Sequence, residues 1–93
     1  MISPNDVFKA LADPTRREIL RLLRAGPLTS GEIAERFPIA WATVSRHLAV
    51  LRDAELIAAE RNGTSIKYEL NATVMQELMS HMLDWTSHGG NDA

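Results

Sequence analysis

The fold is decided by residues 29–54, TSGEIAERFPIAWATVSRHLAVLRDA, which have the pattern of two helices joined by a turn. Thr29 and Glu32 stand three residues apart, the spacing of a capping box at a helix start. Pro38 ends this short helix, because a proline disfavours the helical conformation of the residue before it. A second helix is predicted over 41–54, so the stretch has the form of a helix-turn-helix.

The second of these helices has two different faces. Val44, Leu48 and Leu51 recur at i, i+4 and i+7, which places them on one buried side. The exposed first half combines small residues with Thr43 and Arg46. Small residues allow close approach, and a guanidinium can pair with a guanine edge or hold a phosphate. This face could therefore read DNA, although a solvated helix face with one arginine has the same pattern.

The segment that follows, residues 57–70, is predicted to form a β-hairpin, here called the wing. Asn62-Gly63 is a strong hairpin signal and predicts a type I′ turn. In the second strand apolar and polar residues alternate, so one face packs and the other is solvated. Arg61 and Lys67 are expected on the same side of the wing, where they could contact phosphates. A plain solvated hairpin is the alternative.

Two helices are predicted before this unit and one after it. Ser3 caps the first, which ends near Ala12, and Asp13 caps the second. The last helix covers about 72–87, and residues 88–93 are expected to form a frayed tail.

The whole chain of 93 residues is long enough for one small domain. Its predicted class is mainly α with a small β-hairpin (α+β), in the order α-α-α-α-β-β-α, which is a winged helix-turn-helix.

The formal net charge of −2 hides an uneven distribution. Residues 36–68 carry five basic and three acidic side chains, whereas residues 69–93 carry four acidic and no basic ones. A polyanion needs a local basic surface rather than a basic chain, so nucleic acid remains a candidate partner.

Several classes of protein are disfavoured by the composition. The absence of cysteine excludes disulfides, thiolate ligands and a Cys nucleophile, and it fits a cytoplasmic protein. The N-terminus does not have the pattern of a signal peptide. No stretch approaches the ~20 apolar residues that cross a bilayer, so no membrane insertion is expected.

Several stretches in a fixed order resemble one family along nearly the whole chain. They are DPTRREILRLL, LTSGEIAERF, TVSRHLAVLRDAELI and ERNGTSIKYEL, and together they resemble the ArsR-type winged-helix repressors. The opening VFKALADPTRREIL and the cysteine-free middle are most similar to the SdpR-type autorepressor branch.

The resemblance implies a homodimer built from helices 1–12 and 72–87, with a recognition helix at 41–54 in the major groove of double-stranded DNA. The wing would lie against the DNA backbone or the minor groove. A protein partner that sequesters the repressor is also implied. The expected dimer interface consists of Val7, Phe8, Leu11, Val74, Leu78, Met82 and Trp85. The expected DNA contacts are Thr29, Ser30, Trp41, Ala42, Thr43, Ser45, Arg46, His47, Arg61 and Lys67. For Thr29 and Ser30, simple capping of the helix is the alternative, and both roles can hold together.

The chain departs from the usual family pattern at three positions. Ala40 stands where a polar helix cap is expected, which costs about 1 kcal/mol. Glu55 stands where glycine is common and predicts a modestly strained left-handed residue. Trp41 replaces a frequent Gln, and its indole can only donate a hydrogen bond, so the base contacts at the helix start are expected to be particular to this chain.

The sequence gives little support to a catalytic function. Ser45 and His47 are two residues apart on a helix, so they do not face each other as a catalytic dyad. His47 is expected to pack or to contact a phosphate. Arg16 and Arg17 are expected to form structural ion pairs. No paired-carboxylate cleft, nucleophile set or phosphate loop is present, so no enzyme is predicted.

The last helix carries a polar face that could bind zinc. Glu77, His81, Asp84 and His88 share one side of it. We expect that side to lie opposite the apolar stripe and to be solvated, so no cofactor or metal is predicted.

The sequence therefore predicts a homodimeric, cytoplasmic, DNA-binding transcriptional repressor that reads a palindromic operator. Its own operon is an expected target. Two alternatives stay open. One is a metal-gated repressor with zinc on the last helix, and the other is a protein-interaction module that uses the winged-helix surface or the Met-rich last helix.

Overall fold

The computed structural model describes residues 4–91, and side chains between residues 5 and 86. The helices are α1 (Pro4–Leu11), α2 (Pro14–Leu23), α3 (Ser30–Ala34), α4 (Trp41–Asp53) and α5 (Ala72–Asn91), and the strands are β1 (Leu28–Thr29), β2 (Ile57–Asn62) and β3 (Ser65–Leu70). The predicted winged helix-turn-helix order is confirmed, with β1 as an additional element. The predicted cap Ser3 lies outside the described residues.

The core is built from apolar side chains of all five helices and of the sheet. The seam of α4 predicted from the sequence, Val44, Leu48 and Leu51, is fully buried. Within the described residues no polar or charged side chain is buried. The core residues are Val7, Ala10, Ile19, Leu20, Leu23, Ile33, Val44, Leu48, Leu51, Ala54, Leu56, Ile57, Tyr68 and Val74.

The sheet has the order β1-β3-β2, and both pairings are antiparallel. The sequence did not predict β1, which pairs Leu28 with Tyr68 and Thr29 with Lys67. A strand of two residues has no alternation to detect, since it exists only through its pairing with a distant strand.

The turn of the wing lies one residue later than predicted. Asn62 pairs with Ser65, so the two loop residues are Gly63 and Thr64. Gly63 has a φ of 68°, and no other residue of this turn has a positive φ. Glycine with positive φ at the first loop position belongs to a type II′ turn, not to the predicted type I′ turn.

The end of α4 explains how the chain enters the wing. The Glu55 amide donates to the Arg52 carbonyl at 2.8 Å, and the Leu56 amide donates to the Leu51 carbonyl at 3.0 Å. These two bonds define a Schellman motif, which needs a left-handed residue after the cap. Glu55 takes that conformation with a φ of 63°, as predicted.

The last helix projects from the rest of the fold. The molecule measures 53 × 25 × 22 Å, and its radius of gyration is 15.0 Å, against about 12 Å for a compact domain of this length. Val74 is buried in the core, whereas every side chain from Met79 to Thr86 is exposed.

This helix also continues to Asn91 instead of ending near residue 87, so residues 88–91 are helical and not a frayed tail as predicted. No proline follows residue 72, and the penalty of about 1 kcal/mol for each of Gly89 and Gly90 is a weak signal for a helix end. In the described part of the chain, no helix combines the length and hydropathy needed to cross a membrane.

Candidate nucleic-acid interface

The α4 helix is anchored by its buried seam and presents its other side to solvent. Ala42, Ser45 and Arg46 are exposed, and Thr43 is half-buried. Because these residues lie in the first half of the helix, the chemistry available to a ligand is one guanidinium, two hydroxyls and small apolar groups. The predicted division of α4 into a packed and an open face is confirmed.

The start of α4 has no side-chain cap. Ala40 is the N-cap, and among the residues that the structure describes no side chain accepts a hydrogen bond there. The backbone amides of Thr43 and Val44 donate to the Ala40 carbonyl at 3.0 and 3.2 Å. The earlier amides of the first turn have no side-chain acceptor, and the positive end of the helix dipole lies at the same place.

Trp41 joins the start of α4 to the start of α3. Its side chain is 57% exposed, and its Cη2 atom lies 3.7 Å from the point that a Cβ on Gly31 would occupy. The indole therefore packs over the first turn of α3 at ordinary contact distance. The sequence singled out Trp41 but did not reveal Gly31 as its partner, since the contact spans two helices.

Thr29 and Glu32 form the predicted capping box. The Glu32 amide donates to the Thr29 hydroxyl at 3.1 Å, and the Thr29 amide donates to the Glu32 carboxylate at 2.8 Å. The bond from the Thr29 amide is the main cause that lowers the pKa of Glu32, and Lys67 and Arg36 add attraction. A carboxylate thus occupies the side of α3 where a phosphate contact by Thr29 and Ser30 was expected.

The two wing cations lie on opposite faces of the hairpin, so the prediction that they share a side is wrong. Arg61 is opposite Ile66, and Lys67 is opposite Glu60. Residues directly opposite in a ladder share a face, and neighbours along a strand alternate, so Ile66 and Lys67 point to different sides. Both cations are exposed.

Arg16 and Arg17 are structural, as predicted, but their partners are carbonyls and not carboxylates. Arg16 donates through Nε to the Ala10 carbonyl at 2.7 Å and through Nη2 to the Lys9 carbonyl at 2.9 Å. Arg17 donates to the Leu11 carbonyl at 2.8 Å. The last carbonyls of α1 have no partner within their own helix, and they form the negative end of its dipole, so they attract the two guanidiniums.

His47 is half-buried and contacts Arg16, the first of these two arginines. Its Nδ1 lies 3.2 Å from Arg16 Nη1. One of the two roles expected for His47, a packed side chain, therefore has a geometric basis.

The polar side of α5 does not assemble a metal site within the described residues. Glu77, His81 and Asp84 are exposed, no group of three ligand-type side chains converges, and the side chain of His88 lies outside the description. The His81 ring stacks on Trp85 with centroids 6.3 Å apart. The polar face therefore adjoins the apolar stripe, whereas the sequence predicted it on the opposite side.

The apolar residues expected at a dimer interface divide into three groups. Val7 and Val74 belong to the core of the chain itself, so they are unavailable to a second copy. Leu11 and Leu78 pack half-buried against that core, whereas Phe8, Met82 and Trp85 are exposed.

An apolar surface remains open on the first and last helices. The Phe8 and Trp85 rings lie 5.8 Å apart and join α1 to α5. Met79 and Leu83, which the sequence did not single out, are exposed on the same helix. We call Phe8, Met79, Met82, Leu83 and Trp85 the apolar end surface.

Comparison with known proteins agrees with this geometry. A family model described as a helix-turn-helix domain matches residues 11–60. The transcriptional repressor SdpR of Bacillus subtilis (strain 168) is 49% identical over 88 residues, which are 95% of this chain and 98% of that protein. The arsenical resistance operon repressor of Staphylococcus xylosus is 40% identical over 65 residues, 70% of this chain and 62% of that protein.

A solved structure supports the same assignment. The crystal structure of an ArsR family transcriptional regulator is 30% identical and superposes with a TM-score of 0.79 over 94% of this chain and 91% of the other. Such relatives are DNA-binding regulators and not enzymes. The chain therefore belongs to the ArsR-type family of winged helix-turn-helix transcriptional repressors.

Proposed function

We propose that the chain represses transcription as a homodimer that covers a palindromic operator, with α4 of each copy in the major groove. The observation that carries the proposal is the open face of α4, where Arg46 is exposed on a helix that is fixed from behind by three fully buried residues. A rigid helix with one guanidinium among small side chains can approach base edges closely.

Arg46 is the residue we assign to base reading, with Thr43 and Ser45 beside it. Arg61 at the wing and the uncapped first turn of α4 would hold phosphates, which fix the position of the protein without specifying sequence. Trp41, half-exposed at the junction of α3 and α4, would contribute an apolar contact or an indole N–H donor.

The apolar end surface supports the dimer. Five large apolar side chains on α1 and α5 are 41–66% exposed. Single exposed apolar residues are normal on a protein surface, whereas a cluster of them marks an interface. A two-fold dimer presents two copies of α4, which fit a palindrome with half-sites about 34 Å apart.

Light scattering coupled to size exclusion tests the dimer. Leu83→Glu with Met82→Glu should convert the dimer to a monomer, because two charges would be buried in the interface. Thr73→Glu adds a charge to an exposed position in the first turn of the same helix, away from the apolar end surface, and should leave the dimer intact. A monomeric wild-type chain at micromolar concentration would contradict the proposal.

A titration with the DNA upstream of the chain's own gene tests operator binding. Fluorescence anisotropy should show saturable binding to a palindromic segment that weakens steeply as salt rises, since Lys and Arg displace counterions from phosphates. We place this activity in the cytoplasm, with the promoter of the chain's own operon as target. If no palindrome in that DNA shows salt-sensitive binding, autorepression is refuted.

A further inference from the structure

One guanidinium connects three helices. Arg16 lies in the first turn of α2, binds the Lys9 and Ala10 carbonyls in the last turn of α1, and reaches His47 in the middle of α4. Its planar fork holds the three acceptors at 2.7, 3.2 and 2.9 Å through Nε, Nη1 and Nη2. A lysine has one ammonium on a flexible stem and cannot reproduce this arrangement.

The contact fixes which nitrogen of His47 accepts a hydrogen bond. An arginine side chain only donates hydrogen bonds, so His47 Nδ1 must act as the acceptor. An accepting Nδ1 leaves the proton of the neutral ring on Nε2. The geometry therefore requires the Nε2–H tautomer, which a fully solvated or phosphate-bound imidazolium would not show.

The joined helices have different tasks in the proposed dimer. Phe8 on α1 belongs to the apolar end surface, and Arg46 on α4 directly precedes His47. Helices α1 and α4 also pack against each other, with Ala10 and Val44 in the same core. A rotation of α4 relative to α1 would break the bond between Arg16 and His47, so this bond favours one relative position of the two helices.

We propose that Arg16 is a positioning residue for operator recognition, which holds the reading helix α4 to the dimer helix α1 through His47 Nδ1 and thereby sets the half-site spacing that the dimer accepts. This inference rests on the proposed function. It assigns to Arg16 and His47 a role in DNA selection that requires neither of them to touch a base.

Four variants separate this coupling from ordinary stabilisation. Arg16→Lys keeps the charge but loses the fork, and His47→Gln moves the acceptor away from the Nδ1 position. His47→Asn retains an oxygen acceptor close to that position and should rescue the contact. Arg17→Lys is the matched control, because Arg17 also binds an α1 carbonyl but makes no hydrogen bond to α4 among the described residues.

The first measurement is anisotropy against the operator and against versions with one base pair added or removed between the half-sites. Arg16→Lys and His47→Gln should bind the native spacing about tenfold more weakly, as expected for the loss of one charge-assisted hydrogen bond, and discriminate less between spacings. His47→Asn and Arg17→Lys should behave as the wild type. Light scattering should show dimers throughout.

Equal affinity and equal spacing preference in all four variants would overturn the proposal. So would a loss in Arg16→Lys without a loss in His47→Gln, because Arg16 would then act through α1 alone. If Arg16→Lys does not fold, the His47 pair decides.

The second measurement needs no DNA. Long-range 1H–15N spectra of the free wild-type protein, recorded where the His47 ring is neutral, should show the Nε2–H tautomer with an Nδ1 resonance shifted by the hydrogen bond from Arg16, and Arg16→Lys should remove that shift. An Nδ1–H tautomer in the wild type would overturn the proposal. Failure of wild-type protein to bind any operator, with the tautomer as expected, would instead contradict the proposed function.

Discussion

Lys67 of β3 lies directly opposite Glu60 of β2 and pairs on its other side with Thr29 of β1. Its charge also attracts the carboxylate of Glu32. Arg61, by contrast, lies opposite apolar Ile66, although neither cation forms an ion pair among the described residues. The two wing cations are therefore unequal, because Lys67 lies opposite a carboxylate and acts on a second one, whereas Arg61 lies opposite an apolar side chain.

We expect Arg61→Ala to lower the salt dependence of operator binding more than Lys67→Ala. Each lost phosphate contact reduces the slope of log affinity against log salt by ~1 per protomer, and an ammonium already attracted by carboxylates releases fewer counterions. Anisotropy titrations between low and moderate salt measure both slopes. Glu60→Gln should raise affinity by removing a like charge that repels phosphate, and a larger effect of Lys67→Ala than of Arg61→Ala would contradict this ranking.

We expect Arg46→Ala to weaken binding to the specific operator by ~1–3 kcal/mol while binding to random DNA changes little, because a bidentate base contact is lost. Arg52→Ala is the control on the same helix. Arg52 is also exposed, but it lies in the last turn, 3.8 Å from the Asp53 carboxylate. Competition assays with specific and random duplexes separate the two effects, and equal losses from both substitutions would reject Arg46 as the reading residue.

The elements that depend on local chemistry could be predicted from the sequence. The two faces of α4 follow from its own 3.6-residue period, and the capping box follows from the spacing of Thr29 and Glu32, whereas the left-handed Glu55 was expected from the resemblance to the family, in which glycine is common at that place. Each of these depends on interactions within one or two turns of chain, so no knowledge of distant contacts is needed.

The features that were missed depend on distant partners. The strand β1 exists only because β3 pairs with it, and Trp41 finds Gly31 across a turn. Arg16 contacts carbonyls six and seven residues earlier and a histidine 31 residues later. These groups meet only when the three helices that carry them have packed together. The offset of the wing turn has another cause. Asn-Gly as the two loop residues favours a type I′ turn, whereas Gly as the first loop residue favours the type II′ turn that the structure has.

Asp13 should make the stability of the fold sensitive to acid. Its Oδ1 caps α2 by accepting from the amides of Thr15 at 2.8 Å and Arg16 at 3.1 Å. Desolvation acts to raise the pKa of Asp13, but these hydrogen bonds and the charge of Arg16 together lower it. A lowered folded-state pKa means that the carboxylate stabilises the fold above the unfolded value of about 3.9 and that this contribution is lost as the pH falls below it.

Two substitutions of Asp13 separate capping from charge. Asp13→Ala should reduce the free energy of unfolding by about 1 kcal/mol at pH 7, whereas Asp13→Asn should lose less, because its amide oxygen still accepts from the same amides. Urea unfolding at pH 7 and pH 3 should show a smaller pH effect in both variants than in the wild type. An unchanged pH effect in Asp13→Asn would show that the acid sensitivity arises elsewhere.

Glu55 is a site where one substitution should stabilise the protein. The Schellman motif at the end of α4 holds it at a φ of 63°, a conformation that costs a residue with a Cβ roughly 1–2 kcal/mol and costs glycine nothing. Part of this gain is offset by the larger entropy of glycine in the unfolded chain, so Glu55→Gly should raise the free energy of unfolding by about 0.5–1 kcal/mol.

Gly63→Ala should lower the free energy of unfolding. Gly63 has a φ of 68°, and apart from its chain neighbours no atom lies within 4 Å of an added Cβ, so backbone strain alone would destabilise this variant. Urea unfolding of the two variants beside the wild type measures both changes, and a destabilised Glu55→Gly would mean that the Glu55 side chain contributes contacts worth more than the strain it imposes.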